Sequence, residues 1–227
     1  MQDISNQHNT ASAQVFQTNK VLRNTYALLA MTLLFSAITA WISMAVGMGR
    51  GMSLIMSLGA LALIWFVLPR TANSSAGIFV VFGFTGLLGA SLGPMLSHYL
   101  ALPNGSAMVM QALGGTALVF FALSGYVLTT RKDFSFMGGF LFIGLIVAIL
   151  ASVGAFIAGS FFGVDVSLFS VAISAIIVFI MSGFILYDTS RIINGGETNY
   201  IMATAGMYLS IYNLFTSLLH LIGFMDD

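Results

Sequence analysis

Residues 167–188 read SLFSVAISAIIVFIMSGFILYD, a run that carries no charged side chain before its last residue, Asp188. About 20 apolar helical residues are enough to cross a hydrocarbon core of roughly 30 Å. The stretch therefore predicts a transmembrane helix over Ser167–Tyr187. It also raises the question of why a carboxylate stands at the end of that helix.

The composition of the chain agrees with this prediction. Hydrophobic residues make up 59% of the 227 positions and charged residues only 6%, whereas a soluble domain has about 25% charged residues. Seven basic residues balance seven acidic ones, so there is no basic surplus with which to bind nucleic acid. The absence of cysteine excludes disulfides, thiolate catalysis and cysteine-ligated metals. We predict an all-α integral membrane protein embedded in the lipid bilayer.

Apolar stretches of spanning length recur along the chain without any Asp, Glu, Lys or Arg. The seven predicted spans are Thr25–Val46, Met52–Leu68, Ser75–Leu96, Ala107–Thr129, Phe136–Gly159, Ser167–Tyr187 and Ile201–Gly223. They divide the chain into a polar tail (1–24), a seven-helix bundle (25–223) and a short acidic C-terminus (224–227). The tail is predicted to be disordered or loosely helical, because it has too few apolar side chains to pack a core.

The distribution of basic residues predicts the orientation. With the N-terminus in the cytoplasm, one basic residue, Arg50, lies on the outer side, and the inner side holds Lys20, Arg23, Arg70, Arg131, Lys132 and Arg191. Basic residues are enriched in cytoplasmic loops, so this orientation is favoured. Seven full spans then place the C-terminus outside. If the last segment is a re-entrant hairpin instead, the C-terminus returns to the cytoplasm, and the sequence leaves both alternatives open.

The last predicted span differs from the others because polar residues recur along it. Gly206, Ser210, Asn213, Ser217 and His220 follow one another at intervals of 4, 3, 4 and 3, which places them on one helical face. Polar atoms find no partner in lipid, so this face is predicted to point into the bundle or into a water-filled path. Hydrogen bonding between helices and an ion-conducting or ligand-binding role both remain open. His220, near the outer end, is predicted to be interfacial.

Asp188 has two interpretations. It lies at the predicted cytoplasmic end of the sixth span, three residues before Arg191 and at the same predicted depth as Arg70. A local ion pair with Arg191 would contribute about 0.2–0.5 kcal/mol. In a gate, burial raises the pKa of a carboxyl and a nearby arginine lowers it, so that one proton decides whether the inner mouth is closed. A partner on the same helix favours the first interpretation, and a cross-helix partner, Arg70, would form a latch.

No catalytic motif was found in the sequence. It has no H-E-x-x-H, no G-x-S-x-G and no Walker loop, and its three histidines are His8, His98 and His220. Asp188 alone among the carboxylates approaches membrane depth, whereas an intramembrane protease needs paired carboxylates or a Ser/His dyad. The sequence therefore predicts a protein that is not an enzyme and needs no cofactor.

Five stretches carry a resemblance to the Bax inhibitor-like family, also called the transmembrane Bax inhibitor motif family. They are KVLRNTYALLAMTLLFSAITA (Lys20–Ala40), ALGGTALVFF (Ala112–Phe121), YVLTTRKDFSF (Tyr126–Phe136), GGETNYIMAT (Gly195–Thr204) and IYNLF (Ile211–Phe215). They cover both ends and the middle of the chain. The resemblance implies a bacterial inner-membrane protein with seven helices, six of them around a central seventh. The outer side is then the periplasm, where seven full spans place the C-terminus.

The resemblance also implies two candidate functions. The chain is most similar to a bacterial branch that binds and modulates FtsH, a membrane-anchored ATP-dependent protease. In that case the cytoplasmic tail, residues 1–19, would be the handle by which the protease holds the chain. Other bacterial members are pH-sensitive calcium leaks, in which an Asp at the end of the sixth helix shares a proton with an Asp on the seventh.

The chain departs from the leak pattern at one of these two positions. Asp188 in ILYD matches the first carboxylate, but YLS replaces YLD, so Ser210 stands where the second would be. Arg70 matches a basic residue that pairs with the sixth-helix Asp in the open state. Without a second carboxylate, the repulsion that raises one pKa is lost, and a calcium site of Asp188, Ser210 and Asn213 would be weak. FtsH modulation is thus the first hypothesis, and a cation (Ca²⁺ or H⁺) leak gated around Asp188 is the second.

Overall fold

A computed structural model describes the backbone of residues 2–226 and the side chains of residues 18–226. This part of the chain is helical and contains no strand, and seven of its helices are long and apolar enough to cross a membrane, as predicted. They are α1 (Gln2–Ala45, of which Thr18–Ala45 is the spanning part), α2 (Arg50–Thr71), α3 (Ala76–Leu100), α4 (Gly105–Thr130), α5 (Ser135–Phe162), α6 (Ser167–Ile193) and α7 (Tyr200–Asp226). The predicted disorder of the tail falls largely on residues whose side chains lie outside the described part, and it stays a prediction.

The helices extend beyond the predicted apolar spans. Arg50, predicted in a loop, begins α2, and Pro69 and Arg70 belong to its last turn. At the other end of the chain, α6 continues through Asp188 to Ile193. Apolarity reports how much of a helix lies in hydrocarbon, whereas the helix itself continues as long as its backbone hydrogen bonds can form. The ends of the helices therefore differ from the ends of the apolar runs.

Two of the spanning helices are irregular next to a proline. In α2, the turn Leu63–Val67 is a π-helix and is followed by Pro69. In α3, the helix is interrupted at Leu92, before Pro94. Proline has no backbone N–H and its ring clashes with the carbonyl four residues earlier, so the preceding turn must widen or break.

The last helix, α7, distinguishes a full span from a re-entrant hairpin, the two alternatives that the sequence leaves open. α7 is one unbroken helix of 27 residues, and at 1.5 Å per residue it is about 40 Å long. This length crosses a hydrocarbon core, so α7 is not a re-entrant hairpin. The sidedness of both termini and the arrangement of six helices around α7 stay predictions.

The chain forms two compact units. The first contains the residues up to His98 together with Arg191–Tyr208, and the second contains Tyr99–Ser190 and the residues from Leu209 onward. α7 therefore contributes its N-terminal part to the first unit and the rest to the second.

Within the first unit, α3 packs against α1 and α2. Three glycines of α3 make the contact with α1 close, since a Cβ added to any of them would overlap a residue of α1. The pairs are Gly86 with Phe35, Gly89 with Ser36, and Gly93 with Ser43. Helices in lipid associate by close van der Waals contact, so these glycines let α3 approach α1.

The glycines of the second unit differ in how closely they approach other residues. A Cβ on Gly138 would overlap Tyr187, and one on Gly183 would overlap Leu141. In the spanning helices of this unit, four others have no neighbouring atom within 4 Å of such a Cβ: Gly114, Gly125, Gly139 and Gly154. Among the residues that the structure describes, these four therefore have no close neighbour at the position of an added Cβ.

Many hydroxyl groups of the spans bond within their own helix. Each donates to a carbonyl oxygen three or four residues earlier, as in Thr32 to Leu29, Thr116 to Ala112, Ser152 to Ala148 and Ser182 to Val178. This back-bonding satisfies a hydroxyl without a second helix.

Candidate functional site

The loop between α6 and α7 is held by a chain of polar contacts. The Arg191 guanidinium donates to the Gly196 carbonyl oxygen at 3.0 Å and lies 3.3 Å from a Glu197 carboxylate oxygen. The other Glu197 oxygen accepts the backbone N–H of Asn199 at 2.9 Å. Arg191, a predicted gate residue, is therefore an ion partner of Glu197 and part of this loop. The pairing of Asp188 with Arg191 or with Arg70 stays a prediction.

Asn199 connects the start of α7 to the loop between α2 and α3. Its Oδ1 accepts the backbone N–H groups of Ile201 at 2.9 Å and Met202 at 3.2 Å, which caps the helix. Its Nδ2 donates to the Ala72 carbonyl oxygen at 3.0 Å and to Asn73 Oδ1 at 2.8 Å. One side-chain amide thus fixes where α7 begins and which loop lies against it.

Of the other predicted gate residues, Arg70 is exposed in the last turn of α2, where its guanidinium donates to the Phe66 carbonyl oxygen of the same helix. Asp188 is half-buried within α6, about one and a half turns from the end of that helix at Ile193. The next residue, Thr189, is fully buried, and its hydroxyl lies 3.2 Å from the Ser124 hydroxyl of α4. Asp188 is therefore an ionisable residue within a helix that packs against α4 at the next position, Thr189.

The polar face of α7 points away from the surface. None of its five residues is exposed, and Ser210 and Ser217 retain only 3% and 6% of their accessible surface. Asn213 donates from Nδ2 to the Leu209 carbonyl oxygen of its own helix at 2.8 Å. The inward orientation agrees with the prediction from the spacing.

Tyr208 is a central residue of the first unit that the sequence analysis missed. Its side chain is almost completely buried, and its hydroxyl donates to the Thr85 carbonyl oxygen at 3.2 Å. The same hydroxyl lies 2.5 Å from the Ser36 hydroxyl, with which it shares a hydrogen bond. The sequence did contain a signal for this role. Tyr208 lies in the middle of an apolar span, and a buried phenol needs a hydrogen-bond partner.

A pocket of about 420 Å³ lies in the second unit among α5, α6 and α7. Its polar lining consists of Ser152, Ser160, Ser170, Ser174 and His220. His220 is half-buried and its Nδ1 lies 2.9 Å from the Ser174 hydroxyl. α7 thus turns this side chain towards α6, and the interfacial depth of His220 stays a prediction. The spacing of Ser170 and Ser174 on one face of α6 was a signal for the pocket.

Two carboxylates in the loops, Asp133 and Asp165, each accept a hydrogen bond from the first residue of the helix that follows. Hydrogen bonding from the side chain and the backbone of Ser135 holds the pKa of Asp133 below its ordinary value, and the Ser190 side chain adds to this effect. The side chain and backbone of Ser167 lower the pKa of Asp165 in the same way. Both groups stay ionised near neutral pH, so neither can act as a proton switch there. Among the side chains of residues 18–226, no three His, Cys, Asp or Glu groups converge on a metal site.

The seven apolar helices and the buried polar face of α7 define a multi-pass membrane protein. The family described as inhibitor of apoptosis-promoting Bax1 (Bax1-I) matches residues 18–227, and the chain belongs to this family, as predicted. Its relatives include a protein of Escherichia coli strain K12 named modulator of FtsH protease YccA, which is 49% identical over 97% of this chain and 96% of its own length. A protein of Vibrio cholerae, named only as an uncharacterized membrane protein, is 50% identical over 94% of this chain and 93% of its own.

Proposed function

We propose that this chain is an inner-membrane protein that binds the protease FtsH and restrains it, without catalytic activity of its own. The observation that supports this most is the 49% identity to the E. coli modulator of FtsH. The identity extends over 221 residues of the chain, so no helix lies outside it. Any surface through which the E. coli protein contacts the protease would therefore have its counterpart in this chain.

In this proposal the tail, residues 1–19, is the handle. It is rich in Gln, Asn, Ser and Thr and contains a single charged residue, Asp3. The excess of basic residues in the predicted inner loops favours its cytoplasmic location. A protease that pulls on the tail then meets a bundle whose loops and helices are cross-linked by Asn199 and Tyr208. Resistance of this bundle to extraction would keep the protease occupied.

Deletion of residues 2–19 is expected to weaken association with FtsH at least about tenfold, equivalent to about 1.4 kcal/mol. The measurement is co-purification of FtsH with the tagged full chain and with the deletion variant, together with the rate at which FtsH degrades a membrane substrate. A variant with a scrambled tail of the same composition is the control for length and polarity.

The outcomes separate the two parts of the proposal. If the deletion variant still co-purifies with FtsH and still slows it, the tail is not the handle. If the full chain neither binds FtsH nor slows it, the proposed function itself is wrong.

The half-buried position of Asp188 favours a second candidate function, a pH-sensitive cation leak. Ionisable residues inside spanning helices mark ion paths and proton relays. Asp188, Ser210 and Asn213 offer the oxygen ligands that Ca²⁺ prefers, and a single carboxylate suits weak binding to a permeating ion. This proposal does not exclude FtsH binding.

The leak is tested by calcium and proton flux into liposomes that contain the purified protein, between about pH 6 and pH 8, where a shifted carboxyl can titrate. The expected result is a wild-type flux that depends on pH and is lost in Asp188→Asn. Ser210→Asp restores the second carboxylate and is the matched variant. Absence of wild-type flux, with flux appearing in Ser210→Asp, would contradict the leak and identify the missing carboxylate as the cause.

A further inference from the structure

The hydrogen bonds at the pocket of the second unit indicate which ring nitrogen of His220 carries the proton. Ser174 has one hydroxyl proton, and it is donated to the Ser170 carbonyl oxygen at 3.0 Å. The 2.9 Å contact between Ser174 Oγ and His220 Nδ1 is then donated by the imidazole. The neutral ring is therefore the Nδ1–H tautomer, and its Nε2 is a hydrogen-bond acceptor. In this arrangement the Ser174 proton is directed at the Ser170 carbonyl oxygen and not at the histidine.

The serines of the pocket also present acceptors. Ser152 and Ser170 each donate their proton to a carbonyl oxygen of their own helix at 2.8 Å. Their remaining capacity is the lone pairs on Oγ. His220 and these serines thus present acceptors, which favours a ligand that donates hydrogen bonds.

The lining of the pocket carries no Asp, Glu, Lys or Arg. An ammonium would find no carboxylate, and a phosphate would find no cation. A charged headgroup would lose its hydration without gaining a counter-ion, which is costly. A hydroxyl group donates a hydrogen bond and has no charge, and it therefore fits the lining best.

The position of the pocket indicates that its occupant comes from the bilayer. Phe156 lines the pocket and exposes 66% of its surface. Large apolar side chains nearby, at the end of α5 and the start of α6, are also exposed: Phe161, Phe162, Leu168 and Phe169. In a spanning bundle such side chains face hydrocarbon. The apolar wall of the pocket, which includes Val166, Ile173 and Ile177, continues this surface inward.

We propose that this pocket binds a single-chain lipid with an uncharged, hydroxyl-bearing headgroup, such as a monoacylglycerol. The headgroup hydroxyls donate to His220 Nε2 and to the serine oxygens, and the acyl chain leaves along Phe156 into the bilayer. The volume of about 420 Å³ lies in the range of about 300–1,000 Å³ that small-molecule sites have.

The test is photo-crosslinking of a diazirine-labelled monoacylglycerol to the full-length protein in nanodiscs, with the labelled peptide located by mass spectrometry. Label is expected on α5 and α6 around Phe156. Ala155→Leu narrows the pocket, and the matched control is Gly154→Leu on the next position of α5, where a Cβ meets no atom within 4 Å. We expect Ala155→Leu to reduce labelling about tenfold and Gly154→Leu to leave it unchanged.

Two further arms keep the test decisive if Ala155→Leu does not fold. His220→Phe, which removes the acceptor and keeps a ring, is expected to reduce labelling about tenfold. In the wild type, unlabelled monoacylglycerol should compete, whereas a fatty acid of the same chain length should compete at least about tenfold less well, because its carboxylate finds no partner. Equal competition by the fatty acid, or labelling insensitive to both pocket variants, would overturn the proposal.

Discussion

Replacing Gly89 with alanine is expected to lower the free energy of unfolding by about 1–3 kcal/mol. A Cβ at this position would overlap the Ser36 carbonyl oxygen and the Thr39 hydroxyl, both on α1. The carbonyl belongs to the backbone, so the overlap can be relieved only if α1 moves away from α3. In lipid the separated helices gain nothing from the hydrophobic effect, and the lost van der Waals contacts are not replaced.

The measurement is unfolding of the purified protein by increasing SDS in mixed micelles, followed by circular dichroism. The matched control is Gly154→Ala on α5, where no atom lies within 4 Å of the added methyl group. Alanine is the better helix former by up to about 1 kcal/mol, so this variant should be as stable as the wild type or more stable. Equal destabilisation by the two substitutions would contradict the packing role of Gly89.

Replacing Asn199 with alanine is expected to lower the free energy of unfolding by about 2 kcal/mol. Loss of the helix cap costs about 1 kcal/mol, and loss of the hydrogen bonds to Ala72 and Asn73 costs about as much again. Asn199→Asp separates the two contributions. Its carboxylate still accepts from the N–H groups of α7, but it cannot donate to the loop between α2 and α3.

The same unfolding measurement gives the size of both effects, and amide hydrogen exchange shows where they arise. In Asn199→Ala, exchange should rise at Ile201 and Met202 and in the loop between α2 and α3. In Asn199→Asp it should rise in that loop alone. Wild-type stability and exchange in Asn199→Asp would mean that the side-chain amide does not hold the loop to α7.

The seven helices could be predicted from the sequence because apolar length is a local property, visible in each segment alone. The helix ends could not be predicted from the same property. Arg50 and Arg70 are charged and so fall outside the apolar runs, yet their backbones are helical. The prolines were visible, but a π-helical turn before Pro69 and a break before Pro94 are different responses to the same constraint.

The candidate site was predicted less completely. The spacing of polar residues in the last span identified its buried face, but it carried no information about the partners. The Ser36 and Tyr208 hydroxyls that meet in the first unit are 172 residues apart in the chain, and Ser174 and His220 are 46 apart. One sequence does not record which distant residues meet. The roles of Asp188 and Ser210 stay predictions for the flux experiment.

The back-bonded hydroxyls of the spans have a consequence for biogenesis. A segment whose hydroxyls bond to its own carbonyls, such as Thr116 in α4, can leave the translocon for lipid before any partner arrives. α7 is different, because the Tyr208 hydroxyl finds its partners on α1 and α3. Those two helices are synthesised before α7 and can already be in the bilayer when it emerges. The helices that provide the hydrogen-bond partners of Tyr208 are thus synthesised before α7, the helix that requires them.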